Sequence, residues 1–205
     1  DERRFTFLED GSGRTGYVLK DTGEVALKRD CYHFVFCDPS LGKKYSDRCG
    51  IGVFAVTPSN RLLLLHWVSR RIPIEDIPQR MVEIANAWNT EFIGIEANGY
   101  QIQVASSARL LTTRAVRELD PQGKSKLARA VPAIERAAQG LLFLPDEPAS
   151  SGWISKFVGQ LCEWSGMDGD RDDIVDCVTY AAIEGKRYGG TLQVLPSVKK
   201  PPLFD

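Results

Sequence analysis

Short hydrophobic runs alternate along this chain with segments whose apolar positions recur at helical spacing. Phe34-Val-Phe-Cys37, Ile51-Gly-Val-Phe-Ala-Val56, Leu62-Leu-Leu-Leu-His-Trp-Val68 and Phe92-Ile-Gly-Ile95 read as buried strands. The strands at 33–38, 51–56 and 62–68 follow one another through the loops 39–47 and 57–61, a spacing that suits an antiparallel meander. From Ile74 to Asn89, the positions Ile74, Ile77, Met81, Ile84, Ala85 and Trp88 predict a helix. A strand at 92–96, a helix at 100–108 and a short strand within 109–116 come next. Lys124 to Gln139 predicts a helix with a basic face, stopped by Gly140, and 141–144 a short strand closed by Pro145. Helices at 153–164 and 171–184 complete the pattern. Ahead of all this, Phe5-Thr-Phe-Leu8 and Tyr17-Val-Leu-Lys20 flank the turn-rich Glu9-Asp-Gly-Ser-Gly-Arg14 and read as a hairpin or edge pair.

A three-strand meander followed by helix, strand, helix, strand and helix predicts an α/β fold, a mixed central sheet with helices on both faces. That order is the ribonuclease H-like arrangement, in which the first strand of the meander and the strand after the first helix lie side by side. The chain divides into a leading ribbon or linker at 1–30, a main domain at 31–190 and a Pro- and Lys-rich tail at 191–205. A length of 205 residues, with 43% apolar and 26% charged residues, suffices for one full core without covalent staples. Asp1-Glu-Arg-Arg4 contains no initiator Met, so the chain is expected to be a piece of a longer one. A net charge of -1 argues against a protein that passively coats nucleic acid, but not against a nuclease with an acidic centre and a basic rim. The five cysteines are odd in number and form no CxxC pair, which favours a reducing compartment. Cys31, His33 and Cys37 are close enough to suggest zinc, yet strand alternation and the lack of a fourth ligand favour core burial. No apolar run reaches the length needed to span a membrane.

The candidate chemistry lies where hydrophobic runs end in acid. The run at 34–37 ends in Asp38, the run at 92–95 in Glu96, and Arg171-Asp-Asp-Ile-Val-Asp176 opens the last helix. Strand order brings Asp38 and Glu96 together. On a helical wheel Asp172 and Asp176 fall about 40° apart and Asp172 and Asp173 about 100°, all in one sector beside the stripe of Ile174, Val178, Ala181 and Ala182. Taken alone, that cluster also reads as an acidic helix start favoured by the dipole. Buried carboxylates on separate elements repel one another unless a cation lies between them, and hard divalent cations take carboxylate oxygens together with substrate phosphates.

Beyond these residues, the chain from Asp38 to about Gly185 resembles the C-terminal nuclease domain of the large terminase subunit of tailed bacteriophages. The resemblance is carried by Phe36-Cys-Asp-Pro-Ser40 with Asp47-Arg-Cys-Gly-Ile-Gly52, and by Gly94-Ile-Glu-Ala-Asn-Gly-Tyr-Gln101. Lys124-Ser-Lys-Leu-Ala-Arg129 leading to Gly140-Leu-Leu-Phe-Leu-Pro145, and Asp170-Arg-Asp-Asp-Ile-Val-Asp-Cys-Val-Thr-Tyr-Ala181, continue it. The family's last motif usually reads His-Asp-Asp-x-x-Asp-Ala; here Arg171 and Cys177 replace the His and the Ala.

The resemblance implies a ribonuclease H-like endonuclease that uses two divalent cations, Mg²⁺ or Mn²⁺. Asp38 would bridge both, Glu96 and Asp173 would be further ligands, and Asp172 would serve the more weakly held ion. Asp176 would support the site or cap the helix, and Asp47 reads either as a plain loop residue or as one that orients a ligand or water. Cleavage of concatemeric viral double-stranded DNA during packaging should leave 5′-phosphate and 3′-hydroxyl ends. Implied partners are duplex DNA, an N-terminal ATPase domain of the same polypeptide, the portal protein and the small terminase subunit, in the cytoplasm of the host cell. Lys43, Lys44, Lys124, Lys126 and Arg129 are candidates for holding DNA phosphates, which position a duplex without reading its sequence. Arg70 and Arg71 read as solvated surface. Gly123-Lys-Ser125 is no Walker A motif, because Glu118 stands where its first Gly belongs. The alternatives are a resolvase of branched DNA on the same fold, and a non-catalytic module that docks DNA or a portal ring.

Overall fold

The computed structural model describes residues 3–39, 48–96, 99, 101–119, 123, 125–146, 152–167 and 173–192. Of the predicted site residues, Lys43, Lys44, Asp47, Lys124 and Asp172 lie outside that set, as do Arg171 and the tail from 193.

The strands are β1 (Arg3–Glu9), β2 (Thr15–Leu19), β3 (Val25–Leu27), β4 (Tyr32–Asp38), β5 (Cys49–Val56), β6 (Leu62–Arg70), β7 (Phe92–Glu96), β8 (Ala115–Leu119) and β9 (Leu142–Pro145). The helices are α1 (Ile77–Trp88), α2 (Gln101–Leu111), α3 (Lys126–Ala138), α4 (Trp153–Glu163) and α5 (Asp173–Leu192). One mixed sheet runs in the order β3-β2-β1-β9-β6-β5-β4-β7-β8. β4, β5 and β6 form the antiparallel meander, while β4, β7 and β8 are mutually parallel neighbours. The leading hairpin belongs to this sheet too, since β1 lies parallel to β9, which in turn lies parallel to β6.

Alternation along the central strands divides the core between two faces, because successive strand side chains point opposite ways. Val35 and Cys37 of β4 join Ile93 and Ile95 of β7 beneath α1 and α2, in a cluster with Ile77, Met81, Val104 and Ala108. Phe34 and Phe36 join Phe92 on the other face, beneath α3, α4 and α5, with Phe157, Val178 and Ala181. A sheet buried on both faces needs continuous apolar strands, and every residue of β5 and of β7 is buried. The short strand expected within 109–116 lies at 115–119 because α2 runs on to Leu111.

Cys31, His33 and Cys37 are packing residues. His33 Nε2 lies 2.8 Å from the Tyr17 hydroxyl, and burial lowers its pKa to about 4. Burial also pushes the Cys31 thiol up to about 12, and Cys37 faces Cys49 with 3.4 Å between the sulfurs. All five cysteines are free thiols.

Close packing reaches the strand that delivers the second carboxylate. A Cβ added at Gly94 would run into the Phe36 ring and approach Leu119 Cδ1 at 3.1 Å. Gly94→Ala is therefore expected to destabilise the fold by about 1–3 kcal/mol. Urea denaturation would show this as a lower midpoint with an unchanged slope.

Candidate metal centre

Parallel pairing sets the first two carboxylates side by side. In the β4–β7 register Phe34 faces Phe92 and Cys37 faces Ile95, so the next pair along is Asp38 and Glu96, at the carboxyl ends of both strands. That end of a parallel sheet is where α/β folds commonly place ligands. Past β4, the Gln101 side chain of α2 donates to the Pro39 carbonyl at 2.8 Å and fixes the backbone just beyond Asp38.

The third carboxylate comes from α5. Ile174, Val178, Ala181 and Ala182, the stripe read from the wheel, are all buried against the sheet. Small residues at that contact let the helix approach closely. Cys177 takes the last step: its sulfur lies 3.9 Å from the Phe36 carbonyl and 3.8 Å from that of Gly50. This seats the first turns of α5 over the ends of β4 and β5. Asp176 is thereby carried inward and is 6% exposed. One oxygen from each of Asp38, Glu96 and Asp176 lies within 4.8 Å of the others. Among the described residues no second group of three such ligands comes together.

Asp176, expected as support, thus stands in the cluster itself. Asp173 begins α5, one turn before Asp176. Arg129, expected among the DNA-holding cations, is instead buried at 9% exposure. Its guanidinium lies 3.4 Å from Asp176 Oδ1 and 3.8 Å from Glu96 Oε1, and its Nη1 donates to the Tyr180 hydroxyl at 3.1 Å. Burial alone would lower the Arg129 pKa, but Asp176, with Tyr180 and Glu96, more than offsets this and raises it.

The basic face of α3 therefore turns inward: Arg129 and Arg136 are buried with Ala130 and Ala133, while Leu127, Val131 and Ile134 are exposed. Arg136 donates to the Asn60 carbonyl at 2.9 Å and to its side-chain oxygen at 2.6 Å. Lys126 remains exposed at the start of the helix. Two arginines seven apart, each beside alanine, are the sequence signal for this orientation, one that runs against the rarity of fully buried Arg.

Asp38 adds a third carboxylate to the two that Arg129 contacts, so a single guanidinium does not match the acidic groups gathered here. Hard oxygen donors on three separately anchored elements suit a hard divalent cation, so the residues present fit such an ion.

No protein-family model matches the chain, and no curated protein sequence matches it. Solved structures do. The large terminase nuclease from thermophilic phage G20c, with bound magnesium, superposes with a TM-score of 0.61 at 11% identity, covering 89% of this chain and 93% of that one. The human cytomegalovirus terminase nuclease domain, manganese-soaked and inhibitor-bound, gives a TM-score of 0.56 at 12% identity, covering 78% and 85%. This is the ribonuclease H-like fold of the terminase nucleases. Within that terminase nuclease fold, the nine-stranded sheet and the five helices here form the scaffold that carries the acidic cluster.

Like charges held this close destabilise the fold that assembles them. Asp38→Asn is expected to raise the melting temperature of the metal-free protein by about 2–4 °C, the shift that ~1 kcal/mol produces in a domain of this size. Differential scanning fluorimetry in the presence of EDTA would read it, and a lower melting temperature would contradict the repulsion.

Proposed function

We propose that this chain is a metal-dependent endonuclease that hydrolyses double-stranded DNA, the nuclease part of a viral large terminase. The observation that carries this reading is the convergence of Asp38, Glu96 and Asp176 at the carboxyl ends of adjacent parallel strands, on a fold shared with terminase nuclease domains. Asp38, Glu96 and Asp176 hold Mg²⁺ or Mn²⁺, and Asp172 and Asp173 are assigned as further ligands. Bound there, divalent cations would activate a water and stabilise the departing oxygen of a phosphodiester.

The chain's own residues do the positioning. Asp38 and Glu96 are fixed by the sheet register, Asp176 by the seat of α5, and Gln101 holds the Pro39 carbonyl next to Asp38. Lys43, Lys44, Lys124 and Lys126 are assigned to the duplex backbone; Arg129, which faces the acidic centre, is not. Hydrolysis with this division of roles leaves 5′-phosphate and 3′-hydroxyl ends. The biological substrate would be concatemeric viral DNA in the host cytoplasm. The ATPase domain of the same polypeptide, the portal protein and the small terminase subunit would be the partners. Among the described residues no helix is long and apolar enough to cross a membrane.

Supercoiled plasmid should be nicked and linearised in Mg²⁺ or Mn²⁺ and left intact in EDTA. Asp38→Ala should abolish cutting while the circular dichroism spectrum is retained. Undiminished cutting by that variant would overturn the assignment, and preference for a synthetic four-way junction over linear duplex would redirect it to a resolvase.

A further inference from the structure

Arg129 sits where a metal-binding site would ordinarily exclude a positive charge. Its contacts with Asp176 and Glu96, at 3.4 and 3.8 Å, are longer than the roughly 2.7–2.9 Å of a tight charge-assisted hydrogen bond. The direct hydrogen bond of its Nη1 goes to a neutral group, the Tyr180 hydroxyl, and its buried Nε has no hydrogen-bond partner among the described residues. A guanidinium locked into a structural ion pair would grip a carboxylate with two parallel hydrogen bonds. This one lies against two carboxylates and grips neither. Its desolvation is tolerable only because the acidic cluster is beside it. The orientation of α3, which exposes Leu127, Val131 and Ile134, keeps it there.

We propose that Arg129 is the built-in counter-ion of the acidic cluster: it offsets the repulsion among Asp176, Glu96 and Asp38 while no metal is bound, and it competes with the metal for their charge. This rests on the reading of the three carboxylates as a metal site, and it adds that the chain itself sets how weakly that site binds. The backbone anchors of Asp38 and Glu96 on paired strands and of Asp176 on α5 hold the carboxylates in place without Arg129. Removing its charge therefore strengthens the attraction for a cation rather than scattering the ligands. Arg129 is a positioning residue by this account, since it acts through the carboxylates.

The test is a Mn²⁺ titration without DNA, read by thermal shift, on the wild type, Arg129→Gln and Arg129→Lys. Arg129→Gln should melt lower than wild type in EDTA, and its metal midpoint should fall about tenfold, within the usual range of coupling between two sites. Arg129→Lys keeps the charge and should stay near the wild-type midpoint. A midpoint in Arg129→Gln that is unchanged or higher than wild type, or one in Arg129→Lys that falls as far, would overturn the proposal. Should Arg129→Gln be unfolded in EDTA, millimolar Mn²⁺ must restore its folded spectrum, and failure to do so would equally overturn it. No metal-induced shift in the wild type would instead count against the metal site itself.

Discussion

Bringing like charges together inside a protein opposes folding, and this chain does so with three carboxylates whose oxygens lie within 4.8 Å of one another. Each such pair is repulsive, and more so where burial keeps water from screening it. Much of the architecture around the sheet's acidic end can be understood as what holds that arrangement against the repulsion. Two of the carboxylates are fixed by backbone hydrogen bonding between parallel strands. The third is carried on a helix pressed to the sheet by small residues and by the Cys177 contacts with two strand carbonyls. The fourth participant is a cation, Arg129, delivered from a helix that exposes apolar side chains.

Anchors of this kind separate position from charge. Gly94 lets the Phe36 ring pack against β7 two residues before Glu96, so apolar packing rather than polar contact aims that carboxylate. Cys177 adds contacts of its sulfur with the Phe36 and Gly50 carbonyls at the point where α5 meets the strands. A site placed by its scaffold can remain net negative, and net negative charge is what attracts a divalent cation.

Much of this arrangement was legible beforehand because it is local. The runs ending in Asp38 and Glu96 have strand periodicity, and their adjacency follows from the ribonuclease H-like arrangement that the element order matches. The stripe Ile174, Val178, Ala181 and Ala182 correctly gave the buried face of α5. What escaped depends on distance across the fold. Whether Asp176 would cap its helix or reach the cluster turns on how closely α5 approaches the sheet, which no wheel reports. The basic face of α3 looked like a DNA surface because exposed arginine is the common case, yet Arg129 and Arg136 face inward where carboxylates and the Asn60 carbonyl wait for them. The docking of the leading hairpin through β1 and β9 joins residues some 140 positions apart in the chain, and local patterns carry no sign of it.

The central claim is that the three carboxylates form a cation site. The direct measurement is a crystal of this protein soaked in Mn²⁺, with anomalous difference maps recorded at the manganese edge. A peak bounded by the Asp38, Glu96 and Asp176 carboxylates is the predicted result. Anomalous density only elsewhere on the protein, with those carboxylates unmoved and solvated, would contradict the account.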